Sequence, residues 1–163
     1  MQAQKQDEFV ISRVFDARTR KEHLDKWFGP KGCQIVGGNL DLREGGNYHY
    51  GMRMPDGNVM WGKWTFREVR RPEKLVLIST FSDEQGGITV HPGSPNWPRQ
   101  TLSTTSFESQ GPRTLLTVRW QPYQASEIER RTFAENHASM NGGWSGTFEQ
   151  LASYLAEMVR KGG

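Results

Sequence analysis

Two spacings of apolar residues run along the chain, and the change from one to the other marks a change of element. Phe133, His137, Met140, Trp144, Phe148, Leu151, Leu155 and Met158 follow one another at steps of three or four, which puts them on one face of a 3.6-residue helix. Ser126-Glu127-Ile128-Glu129 opens this stretch as an S-x-x-E capping box, with Ser126 as N-cap and Glu129 reaching back to its amide. Arg160-Lys161-Gly162-Gly163 suits the other end, where cations meet the negative pole of the helix and glycine caps it. The spacing thus predicts one long C-terminal helix. Gly142 and Gly143 stand side by side inside it, each costing about 1 kcal/mol relative to alanine in a helix interior. A bend around a curved surface, or the close approach of another group, would offset that cost.

Ahead of this helix the pattern is mostly that of strands and turns. Glu8 to Phe15 is rich in β-branched and aromatic residues and reads as a first strand. Lys21 to Trp27 reads as a short helix stopped by Gly29-Pro30. Six strand-like segments follow: 33–43, 46–54, 58–69, 74–81, 99–109 and 113–121. Gly45-Gly46, Pro55-Asp56-Gly57, Pro72-Glu73 and Gly111-Pro112 lie between successive pairs, and such short connections favour antiparallel neighbours. Ser82 to Pro98 is long and rich in Gly and Pro, and reads as a loop or flap. Alternation puts Tyr48, Tyr50 and Met52 on one face of their strand, Met60, Gly62, Trp64 and Phe66 on one face of theirs, and Leu116, Val118 and Trp120 on one face of another. Rings alternating with gaps suit a cavity lining and an aromatic-rich core equally well.

The expected architecture is α+β, one domain over residues 1–163: a curved antiparallel sheet of about six or seven strands wrapped around the long C-terminal helix, since each has a single apolar face to bury. The segments "WFGPKG", "DLREGGNYHYGM", "PDGNVMWGKWTFREVRRPEKLVL", "WPRQTLSTTSFE", "TLLTVRWQP" and "HASMNGGWSGTFEQLASYL" together resemble the SRPBCC (START-like) superfamily. Within it they most resemble the bacterial branch named after the activator of the ninety-kilodalton heat-shock protein's ATPase. The resemblance implies the helix-grip fold with a cavity between sheet and helix, the two glycines marking where the helix bends over it and Trp144 pointing inward. One departure stands out. Members of this family have about ten residues more between the first apolar segment and the short helix than Arg18-Thr19-Arg20 supplies, a stretch that helps close one end of the cavity.

Composition narrows the partners. The chain has 163 residues, 21 Lys+Arg against 18 Asp+Glu, a net charge of +3 and one cysteine, Cys33. Its basic residues are scattered, which argues against nucleic acid. No membrane-length apolar segment or signal-like start occurs, so a cytoplasmic location is the default. A single cysteine allows no internal disulfide, and neither H-x-x-x-H nor H-E-x-x-H occurs, so no metal site and no cofactor are expected. G-x-S-x-G and G-x-G-x-x-G are absent too.

Candidate chemistry rests on histidine and rings. His137 lies on the inward stripe, where a general base, a ligand anchor and a hydrogen-bonded core residue all fit. His91 falls in the flap near Trp97, His49 should face away from Tyr48 and Tyr50, and His23 reads as a surface residue. Three functional readings follow. The first is a binding module holding an apolar or aromatic small molecule, lined by Tyr48, Tyr50, Met52, Trp64, Phe81, Trp97, Phe133, His137, Met140 and Trp144, with the flap as gate. The second, implied by the resemblance, is a polyketide cyclase or aromatase-like enzyme in which His137 and Tyr50 direct proton transfer. The third, also implied by it, is a chaperone-accessory domain acting on a heat-shock ATPase. Pairing of two copies through exposed strand edges stays open.

Overall fold

The computed structural model describes residues 11–28, 32–91, 94–111 and 113–162, with 137–143 and 158–162 as backbone alone. The segment read as a first strand is instead helical from Ile11 onward, as α1, Ile11–Thr19. Val14, Phe15, Ala17, Arg18 and Thr19 are all buried. The pairs 14/18 and 15/19 sit one helical turn apart, so a buried helical stripe overrides the strand-like composition. Helix α2, Lys21–Trp27, matches the expected short helix and ends at Phe28 in extended backbone. Gly29-Pro30, expected to stop it, lies outside the described residues. Only Arg20 separates α1 from α2, and the Trp27 indole N–H closes the corner by donating to the Ala17 carbonyl at 2.7 Å.

Seven antiparallel strands follow: β1 Gln34–Leu40, β2 Asn47–Arg53, β3 Val59–Arg70, β4 Lys74–Ser82, β5 Ile88–Thr89, β6 Gln100–Gln110 and β7 Arg113–Pro122. Six of them lie in the order β1-β2-β3-β4-β6-β7. The segment read as a flap carries β5, which pairs with the end of β4 through Phe81↔Thr89 and Ser82↔Ile88. It therefore folds back on the sheet. The β1/β2 pairing slips between Val36 and Asn39, where Gly37 and Gly38 take φ of 69° and 139°, a bulge that only glycine makes without strain.

The Ser126/Glu129 capping box is present, with Glu129 N–H donating to Ser126 Oγ at 3.2 Å and Ser126 N–H to Glu129 Oε1 at 2.9 Å. The single helix expected beyond it is two: α3, Glu127–Glu135, and α4, His137–Gly162. The break falls at Asn136, whose side-chain amide donates to the Thr132 carbonyl at 2.8 Å and so replaces a lost backbone bond. Backbone through Gly142 and Gly143 is helical. From α4, Leu151 and Leu155 join Phe15, Phe66, Leu75, Leu77 and Phe107 in a core between helices and sheet.

Trp27→Phe keeps the ring but strands the buried Ala17 carbonyl, and is expected to cost about 1–3 kcal/mol of stability in urea denaturation. An unchanged midpoint would show that the α1/α2 corner does not depend on this bond.

Candidate functional site

Along β4 and β6 the inward face changes character. Toward one end it carries Leu75, Leu77 and Phe107, all buried against the helices. Toward the other it carries Ser79, Thr101 and Ser103, with Ser79 opposite Thr101 and Leu77 opposite Ser103. Short hydroxyl side chains leave room that leucines would fill. Two cavities that share Tyr50, Ser79 and Trp120 occupy that space, of about 270 and 240 Å³. The first is lined by rings of β2, β3, β7 and α4, by Phe28 just past α2, and by Arg18 of α1. The second continues past Met52, Gly62 and Phe81 to Trp97.

Strand register builds the aromatic wall. Tyr48 pairs with Trp64 and Tyr50 with Gly62 across β2/β3. Tyr48 and Tyr50 stack at 4.9 Å between ring centroids, and Trp64 meets Tyr48 edge-on at 5.0 Å. Phe28 closes the group edge-on, 5.0 Å from Trp64 and 5.5 Å from Tyr50. Tyr50 leans over Gly62 so closely that a Cβ built there would lie 2.5 Å from its hydroxyl oxygen. A second run of rings faces this wall. Trp97 contacts Phe133 at 5.5 Å, Phe133 contacts Trp120 at 5.2 Å, Trp120 contacts Trp144 at 5.6 Å, and Trp144 contacts Phe148 at 5.5 Å.

The sequence-predicted residues distribute as follows. Tyr50 lines both cavities, Trp64 and Trp144 the first, and Met52, Phe81 and Trp97 the second. Tyr48 is fully buried behind Tyr50, and Phe133 backs Trp97 and Trp120. The side chains of His137 and Met140 lie outside the described residues, so the His137–Tyr50 pair is not brought together in what is described. His49 faces outward as expected, stacked on Trp61 at 5.2 Å. His91 meets Phe81 edge-on at 5.0 Å. His23 departs from the surface reading: half-buried, its Nδ1 lies 2.6 Å from the Tyr154 hydroxyl and joins α2 to α4.

Arg18, Phe28, Ser79 and Ser103 were not singled out by sequence reasoning. Arg18 was missed because its segment was read as a strand followed by a short link. Read at helical spacing, its position one turn after Val14 would have flagged it. The guanidinium is buried, 3% exposed, and its Cζ sits 4.7 Å from the centre of the Trp64 ring. Burial lowers its pKa to about 10, against an opposing contribution from Tyr50 and Tyr48, so it stays charged at neutral pH. Burial likewise pushes the Tyr50 phenol up to about 12, with Arg18 pulling the other way, and raises Tyr48 further. Both phenols therefore stay protonated at neutral pH. Among the described residues no cluster of three or more His, Cys, Asp or Glu could hold a metal, and no helix is long and apolar enough to cross a membrane.

The family model described as Activator of Hsp90 ATPase homolog 1-like protein matches residues 8–156. Among solved structures, a protein from Arthrobacter aurescens is 25% identical over 92% of this chain and 81% of its own, with a TM-score of 0.75. A protein from Nitrosomonas europaea is 23% identical over 92% and 89%, with a TM-score of 0.72. A protein described as AHSA1 from Silicibacter pomeroyi is 16% identical over 91% and 92%, with a TM-score of 0.67. These likenesses establish the fold. No curated protein matches the chain.

Two outcomes follow from the aromatic wall. Gly62→Ala must displace a Tyr50 ring held by Phe28, Tyr48 and Trp64, and is expected to lose about 1–3 kcal/mol. A double cycle with Tyr50→Ala should recover most of that loss, and strict additivity would mean the two residues do not clash. In alkali, a phenol whose folded pKa is raised gives stability that is fully present below the unfolded value and is lost as pH rises toward the folded one. Tyr50 should therefore make stability fall between about pH 10 and pH 12, against an opposite trend from Arg18, whose lowered pKa favours the folded state as it deprotonates. The fall should be less steep in Tyr50→Phe, as read by urea midpoints across that range. Parallel slopes for the two proteins would remove Tyr50 as a cause.

Proposed function

The chain belongs to the family of Activator of Hsp90 ATPase homolog 1-like proteins, within the SRPBCC superfamily, and from that premise we propose that it is a binding module for an apolar or aromatic small molecule. The observation that carries this reading is the pair of adjoining ring-lined cavities on the sheet, the first of them bounded also by α4. Ligand sites of drug-like size run to about 300–1,000 Å³ and are mostly apolar with a few placed polar groups, and the two spaces reach that range only together. Their walls are ring faces, Met side chains and single hydroxyls, which suits a flat molecule better than a sugar or nucleotide. Tyr50, Trp64, Trp120 and Trp144 form the walls, and the β5 segment is the gate, since it is held to β4 by only two residue pairs.

A second reading, an accessory role at a chaperone ATPase, is favoured by the family's own description. Such a role uses the outer surface and leaves the cavity without a task. An enzymatic role would need the His137–Tyr50 pair in the cavity, where Tyr50, held protonated, is a poor base at neutral pH and the His137 side chain lies outside the described residues.

Native mass spectrometry of the purified protein against its denatured mass tests the proposal. A small apolar adduct, captured from an extract and lost in a folded Trp144→Ala variant, is the expected result. A protein that captures nothing, while a pull-down returns the heat-shock ATPase in a saturable complex insensitive to Trp144→Ala, would overturn it in favour of the second reading.

A further inference from the structure

Buried polar atoms ordinarily find partners, so those that do not are informative. Among the described residues the orphans include Arg18 Nη1, Ser103 Oγ and Tyr48 Oη. Arg18 and Ser103 line the same 270 Å³ cavity, and Tyr48 stacks on Tyr50, which lines it too. Two unsatisfied groups, Arg18 Nη1 and Ser103 Oγ, thus open on one space. Arg18 is the more demanding of the two, because an arginine cannot shed its charge at neutral pH and an uncompensated buried cation is costly.

The local carboxylates are engaged elsewhere. Asp16 receives Arg71, with nitrogen-to-oxygen distances of 2.7 and 2.8 Å, and Arg20 approaches it at 3.8 Å. Asp25 Oδ2 accepts from Lys21 at 2.7 Å and its buried Oδ1 is without a partner among the described residues, so neither oxygen is paired with Arg18. No ion pair joins Arg18 to any described residue. The Trp64 ring face at 4.7 Å and the Phe28 ring at 6.0 Å offset part of the desolvation cost. Ring faces offer no lone pair in the guanidinium plane, so Nη1 keeps an open donor position.

Building on the binding-module reading, we infer that the ligand is an aromatic acid: a flat ring system carrying one carboxylate, which the Arg18 guanidinium anchors while the rings of Tyr50, Trp64, Trp120 and Trp144 hold the apolar part. One buried cation calls for one anion, and the planar fork of donors matches a carboxylate. Ser103 Oγ–H, on the wall of the same cavity, is a further donor for the same group. Arg18 is a binding residue in this scheme, and Phe28, packed at the edge of Trp64, is a positioning residue for it.

Isothermal titration of the full chain with 1-naphthoate and with its neutral isostere 1-naphthamide tests the inference. The naphthoate should bind tighter by about tenfold or more, the weight of one charge-assisted hydrogen bond. Arg18→Met should abolish that preference while changing naphthamide affinity by less than about threefold, and Arg18→Lys should keep part of it. If Arg18→Met fails to fold, the wild-type preference and Arg18→Lys carry the test. Naphthamide binding as well as naphthoate would overturn the anionic anchor and leave the apolar binding module standing. If neither probe binds, native mass spectrometry decides. A captured aromatic acid supports the inference, a captured neutral compound overturns it alone, and an empty protein overturns it together with the binding-module reading.

Discussion

The pairing of Tyr50 with Gly62 across β2 and β3 is the constraint from which the interior of this protein follows. A side chain at position 62 would overlap the Tyr50 ring, well inside van der Waals contact, so the tyrosine can lie across the sheet only because its partner has none. That frees the Tyr50 ring to stack on Tyr48 and to present an edge to Phe28. Trp64, two pairs further along on the same face, completes the wall. A slip of one residue between these strands would turn Tyr48 and Tyr50 to the face of the sheet opposite Trp64.

On this wall rests an electrostatic arrangement unusual for a small domain. Arg18 is buried with its Cζ 4.7 Å from the centre of the Trp64 ring, and phenols and serines are among its neighbours. Hydrophobic packing of α1 against the sheet supplies the favourable term that keeps it there: Val14, Phe15 and Ala17 bury on the same short helix. The Trp27 bond to Ala17 ties α2 to that helix, which fixes where Phe28 emerges. The cation is therefore placed by apolar contacts on either side of it.

Much of this arrangement was legible in the sequence, and its gaps have physical causes. The strands from Gln34 to Pro122 other than β5 followed from alternation and turn residues, whereas β5 lies in the segment read as a flap. Ser126 and Glu129 announced a helix start that the structure contains. The break at Asn136 was not foreseen, since the apolar spacing of three and four continues across it and only a side-chain bond marks it. Ile11–Thr19 was misread because β-branched and aromatic residues serve either element and tertiary burial decides between them. That misreading hid Arg18. The cavity itself was half visible: its rings stood out, whereas Ser79, Thr101 and Ser103 looked like ordinary strand hydroxyls. Their meaning comes from which neighbours are leucines, and pairing reveals that only once the sheet is assembled.

The run of rings from Trp97 through Trp120 to Trp144 crosses from the loop before β6, over β7, to α4. Ring centroids stand 6.3 and 5.6 Å apart at its two tryptophan contacts, close enough for their electronic transitions to mix. Three indoles contributed by three different parts of the chain thus behave as one coupled chromophore with a handedness set by the fold. Its near-ultraviolet circular dichroism belongs to the assembled tertiary structure alone, so any motion of α4 relative to the sheet is written into the shape of that spectrum.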